Sequence, residues 1–94
     1  MIAMVQRTVT VTLDDGLHMR PCQQIVQRAA QHPGDVRIRY QNQTADAKSL
    51  SDLLGLAAEK GTTLVVEADG HDAEVIADQL ETLFSSHFNL RREN

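Results

Sequence analysis

The chain has no tryptophan, one cysteine and two prolines, and its aromatic residues are only Tyr40, Phe84 and Phe88. With Cys22 alone, neither an intramolecular disulfide nor a multi-cysteine zinc site can form, and a reduced cytoplasm is the expected location. The few aromatics remove the stacking platform that single-stranded nucleic acid needs. Lysines and arginines number nine against thirteen acidic residues, giving a net charge of −4, and they are scattered from Arg7 to Arg92. No basic stripe exists to grip a phosphate backbone, so no nucleic-acid partner is expected. No apolar run resembles a secretory core or a membrane span, so no membrane insertion is expected. A glycine-rich loop ending in Lys-Ser/Thr is lacking, as is any His, Cys or carboxylate cluster with metal-ligand spacing. No cofactor and no metal are therefore expected.

What is present is a patterned chain of 94 residues, 41% hydrophobic and 23% charged, enough for one small domain whose core claims most of its apolar residues. Residues 1–94 read as a single domain with a core over about 5–86 and a frayed tail over 87–94. "VTVTL" sets Val9, Val11 and Leu13 against Thr8, Thr10 and Thr12 and reads as a half-buried strand ending at the Asp14-Asp15-Gly16 turn. Met19 to about Gln31 carries Cys22, Ile25, Val26, Ala29 and Ala30 at helical spacing, stopped by Pro33-Gly34. "VRIRY" alternates again and turns through Gln41-Asn42 into the weaker "QTADA". Ser49 to about Ala58 forms a short helix with Leu50, Leu53, Leu54 and Ala57 inside, capped by Ser49 with Asp52 and weakened by Gly55. "TTLVVEA" is a further strand. Asp72 then caps a last helix with the buried stripe Ile76, Leu80, Leu83 and Phe84. The order βαββαβα implies an α+β fold, its helices on one face of a small antiparallel sheet whose other face meets water.

The most constrained local chemistry lies in "DDGLHMRPC", residues 14–22. His18 falls at or beside the first cap of a helix, and Pro21 suits a first turn because its missing N–H had no intrahelical partner. The free N–H groups and the positive helix end make an anion site beside the imidazole, and Arg20 adds a fork of donors suited to phosphate oxygens. A neutral imidazole is a nucleophile, so His18 can accept a phosphoryl group. The helix end stabilises the product by roughly 0.3–1 kcal/mol, a modest hold that suits a group to be passed on. Taken alone, a histidine at a helix start is more often a polar loop or cap residue. Cys22 lies on the stripe with Ile25 and Ala29 and reads as a small core residue. His32, His71 and His87 fall near loops or helix ends and are expected in solvent.

"AKSLSDLL", residues 47–54, holds the second constellation. As an N-cap, Ser49 needs no further role, since its hydroxyl satisfies an orphan N–H; the same place also tolerates an added phosphate.

"GLHMRP", then "AKSL", then "GTTLVVEADG" before a final helix resemble, in that order, HPr, the histidine-containing phosphocarrier family of the bacterial sugar phosphotransferase system. The resemblance runs from about Val5 to Phe84. It implies an open-faced β-sandwich, a four-stranded antiparallel sheet covered on one face by three helices. It also implies that His18 takes phosphate on Nδ1 from phosphorylated enzyme I and gives it to IIA domains, with Arg20 as phosphate stabiliser. Ser49 matches the serine that a dedicated HPr kinase/phosphorylase modifies in many bacteria. Met19, Leu50 and Leu54 match the apolar contact patch for partners.

There are departures from the family pattern. Met19 stands where threonine or alanine is common, and Cys22 where alanine is common. Gln23, Gln24, Gln27 and Arg28 replace a lysine-rich helix face, which retunes electrostatic docking. Ser51 stands beside Ser49 where a bulky apolar residue is usual. The expectation is a monomeric phosphocarrier, a transfer intermediate rather than a stand-alone enzyme. The alternative is a regulatory or nitrogen-branch paralogue acting mainly by binding transcription regulators.

Overall fold

The computed structural model describes residues 4–90. Strand β1 is Met4–Thr10, helix α1 Met19–Ala29, β2 Val36–Tyr40, β3 Gln43–Asp46, α2 Leu50–Gly55, β4 Thr63–Asp69 and α3 Ala73–Ser85, followed by a single turn at His87–Asn89. The strands form one antiparallel sheet in the order β1-β4-β2-β3. Three helices cover one face, as the element order led one to expect.

Period-two alternation sets the faces. Val9, Leu64, Val66, Ala68, Val36 and Ile38 point inward and are buried, and they meet Cys22, Ile25, Ala29, Leu53, Ile76, Leu80 and Phe84 from the helices. Strand β1 begins earlier than the threonine alternation indicated. Arg7 occupies an inward register position opposite Val66, and its charge hides the pattern. Its guanidinium reaches the edge of α3 and pairs with Asp78 at 3.0 Å and Glu81 at 3.5 Å. Past Thr10 the chain leaves the regular ladder but stays extended, with Val11 exchanging bonds with Thr62 and Gly61.

The outward face is not simply wet. Gln6, Glu67 and Arg37 lie side by side in the β1-β4-β2 register, and Glu67 is only 5% exposed. It accepts from Arg37 Nε at 3.1 Å, Arg39 at 2.9 Å and Gln6 at 2.9 Å. Burial pushes the Glu67 carboxyl up, but the bonds from Arg39, Gln6 and Arg37 outweigh it and hold the group below the usual carboxylate range.

Several expected details are corrected. The tail does not fray from residue 87: Phe88 is 2% exposed and sits edge-on to Phe84 at 4.8 Å, and its carbonyl accepts from Gln24 Nε2 at 3.0 Å. His87, Phe88 and Asn89 all have φ near +56°, between +55° and +57°, a left-handed run that non-glycine residues adopt only when packing imposes it. Residues 91–94 lie outside the described residues. His32 is buried, not solvated, with Nε2 bonded to the Asp69 carbonyl at 2.7 Å. Asp72 occupies the start of α3 with φ +65°, and its side chain makes no cap bond. In α2 the helix stops at Gly55, so Ala57 is exposed and Leu56 and Ala58 are buried in its place. On α1, Val26 is half-buried and Ala30 exposed.

Candidate functional site

The approach to His18 is fixed by the loop before β4. After Val11, the chain turns at Asp14-Asp15-Gly16, closed by Gly16 N–H donating to Leu13 C=O at 3.0 Å. Lys60 pairs with Asp14 at 2.7 Å. Gly16 has φ +69°, and a Cβ there would lie 2.4 Å from the Ala58 carbonyl oxygen. Glycine alone fits this approach. Leu17 N–H then donates to that same oxygen at 2.9 Å, and His18 N–H donates to Gly16 C=O at 2.9 Å.

His18 is the N-cap of α1, extended at φ −87°, ψ −167°, and its carbonyl accepts the first helical bond from Cys22 N–H at 3.2 Å. Its imidazole makes no cap bond and has no other hydrogen-bond partner among the described residues. An asparagine or serine here would consume the first-turn donors; this histidine leaves Met19 and Arg20 N–H free, and Pro21 has none to offer. The first turn contains no acidic residue, so nothing on the helix offsets its positive end. Arg20 is exposed and makes no ion pair among the described residues. A half-exposed imidazole, two free backbone donors and an unpaired guanidinium within three residues can bind an anion and accept a phosphoryl group.

The second constellation packs beside the first, because α2 lies against α1. Ser49 is the N-cap of α2 and its Oγ accepts from Asp52 N–H at 3.2 Å, with Ser51 Oγ also at 3.2 Å. Asp46 N–H donates to Asp52, and Lys48 N–H to Asp46. Met19 is 46% exposed, whereas Leu50 and Leu54 are half-buried and packed against the core. Of the three patch residues, Met19 alone is exposed. Sequence reasoning missed the docking of the Gly16 turn on Ala58; the glycine in "DDG" was its one local signal. It also missed Lys48, whose Nζ donates to the His32 carbonyl at 2.7 Å and fastens the end of α1 to the start of α2.

Together these features define a small open-faced α+β protein that displays a half-exposed imidazole at a helix end, the arrangement of a group carrier rather than of an enclosed catalytic pocket. The family model described as "PTS HPr component phosphorylation site" matches residues 5–86. The phosphocarrier protein HPr of Vibrio cholerae is 34% identical over 80 residues, covering 85% of this chain and 94% of its own. Among solved structures, HPr from Bacillus anthracis aligns with TM-score 0.81 at 34% identity, over 87% of this chain and 98% of that one. HPr-C-His from Thermoanaerobacter tengcongensis aligns with TM-score 0.88 at 26% identity, over 94% and 99%. The chain belongs to the HPr family, the phosphocarriers of the phosphotransferase system, whose family-level role is phosphoryl transfer. No helix among the described residues is long and apolar enough to cross a membrane.

Proposed function

We propose that this protein is a monomeric, single-domain cytoplasmic carrier that takes a phosphoryl group onto His18 from phosphorylated enzyme I and hands it to IIA domains. The observation that carries the reading is the imidazole of His18, which stands at a helix N-cap without making the cap bond. In the forward step the lone pair of the neutral ring nitrogen forms a bond to phosphorus as the donor's bond to it breaks. In the return step that P–N bond breaks and the acceptor nucleophile takes the group. Arg20 and the N–H groups of Met19 and Arg20 neutralise the phosphoryl oxygens on His18. Met19, with the exposed parts of Leu50 and Leu54, gives partners a small apolar footing, which suits brief encounters.

Ser49 is the regulatory site in this reading. A phosphate there adds roughly −1.5 to −2 charges to a cap already flanked by Asp52 and Asp46, so its effect is repulsion at the docking face. A dedicated HPr kinase/phosphorylase is the enzyme that adds it.

The test is incubation with enzyme I and phosphoenolpyruvate, read by intact mass, with an acid wash. One acid-labile phosphate is expected, absent from His18→Ala. A folded wild-type protein that stays unmodified while an authentic HPr is labelled alongside overturns the reading.

A further inference from the structure

Cys22, which phosphoryl transfer does not use, lies one turn along α1 from the His18 cap. Its side chain is fully buried, and its Sγ lies 3.5 Å from the carbonyl oxygen of Leu17. That carbonyl belongs to the Leu17–His18 peptide. It precedes the N-cap, so it stands outside the helical ladder, and among the described residues the thiol is the donor it receives. The preceding amide is fixed by Leu17 N–H on Ala58, and the N–H of this same peptide, that of His18, donates to Gly16 C=O. The peptide between Leu17 and His18, the last before the imidazole, is therefore anchored at its N–H end by the Gly16 carbonyl and at its C=O end by the thiol.

Resting on the reading of His18 as the phosphoryl acceptor, we propose that Cys22 is a positioning residue: its S–H···O=C bond to Leu17 holds the carbonyl end of the peptide that aims the His18 ring, opposite the His18 N–H bond to Gly16. Burial pushes the thiol up to about 11, so it keeps its proton and remains a donor at neutral pH. A thiol is a weak donor, so the effect is on aim rather than on whether the helix forms.

Two substitutions separate aim from packing. Cys22→Ala removes the donor and leaves a small void. Cys22→Ser restores a donor on the same carbon at the cost of burying a hydroxyl. If Cys22 merely fills space, the thermal midpoint and the transfer rate follow one order, with cysteine first and serine no better than alanine. If it aims the ring, the orders split: serine is no more stable than alanine yet transfers faster. The expected loss of transfer rate from phosphorylated enzyme I is about three- to fivefold for Cys22→Ala, the scale of one weak hydrogen bond, with most of it recovered by Cys22→Ser. The carbonyl 13C shift of Leu17 and the amide shift of His18, recorded on unphosphorylated protein, should move in the alanine variant and return toward wild type in the serine variant. Equal rates and equal shifts in the two variants overturn the positioning role. Because the shifts need no phosphate, they stand or fall apart from the acceptor reading, which an unlabelled wild-type protein would overturn instead.

Discussion

Replacing Gly16 by alanine should damage the candidate site more than any other single methyl group, and the cost follows from the structure. The residue sits at φ +69°, where a β-carbon costs about 1–2 kcal/mol. That carbon would also stand 2.4 Å from the Ala58 carbonyl and 3.1 Å from the Glu59 Cα, and neither backbone atom can swing aside. Relieving the overlap means lifting the turn off the loop, which gives up the Leu17–Ala58 hydrogen bond of 2.9 Å, worth about 0.5–1.5 kcal/mol net. The sum is about 1.5–3.5 kcal/mol, or a fall of roughly 6–28 °C in Tm for a domain of this size. Two other glycines serve as internal controls. Gly61 also has positive φ, +91°, but a Cβ there meets nothing within 4 Å, so Gly61→Ala should cost only the conformational part, about 1–2 kcal/mol. Gly55 closes α2 with open space around it, and Gly55→Ala should be neutral or stabilise by up to about 1 kcal/mol. Urea unfolding of the three variants gives the ranking directly. If Gly16→Ala costs no more than Gly61→Ala, the close approach to Ala58 is not what holds the histidine loop, and the reasoning fails.

Three further outcomes follow from the same geometry. Glu67 has its folded pKa held down, so its contribution to stability is present above the ordinary carboxylate value of about 4.3 and is lost as pH falls through the lower folded value; Glu67→Gln should flatten the acid limb of stability against pH, and an unchanged limb would show that another carboxylate sets it. Removing the Phe88 ring, 2% exposed, should cost about 3 kcal/mol, measured by denaturant midpoint, whereas a frayed tail would make Phe88→Ala silent. Ser49→Ala should lose about 1 kcal/mol of cap energy, seen as faster amide exchange confined to α2; exchange unchanged there would mean that the 3.2 Å bond to Asp52 contributes nothing.

Element order and the placement of His18 were legible because both rest on local rules: period-two alternation in "VRIRY" and "TTLVV", helical spacing after Met19, and a proline that fits a first turn. What was illegible is long-range. Arg7 looks like a surface residue until Asp78 and Glu81 arrive from α3, and it concealed the first half of β1. His32 lies between a helix end and a proline, where solvent is the sound expectation, yet Gly34 lets β4 come close enough for the Asp69 carbonyl to claim its ring. Phe88 follows a run that reads as a tail, and only the proximity of α1 to the end of α3 gives it a place to pack. At the candidate site, the residue types were readable and their support was not: nothing in "DDGLHMRPC" announces that Ala58 holds it in position.

The strand order carries a consequence for how the protein comes off the ribosome. β1 has one neighbour, β4, so Thr10 pairs with Thr63 and Met4 with Asp69. Closing a loop of that length before any contact is gained is the slow kind of step in folding. A nascent chain that has emerged only through α1 already presents His18, but Ala58, Lys60 and Thr62 have still to emerge. The imidazole thus acquires its final bearing late, once β4 has emerged and can pair with β1. A chain truncated before β4 should carry the histidine motif intact and still be unable to take the phosphoryl group.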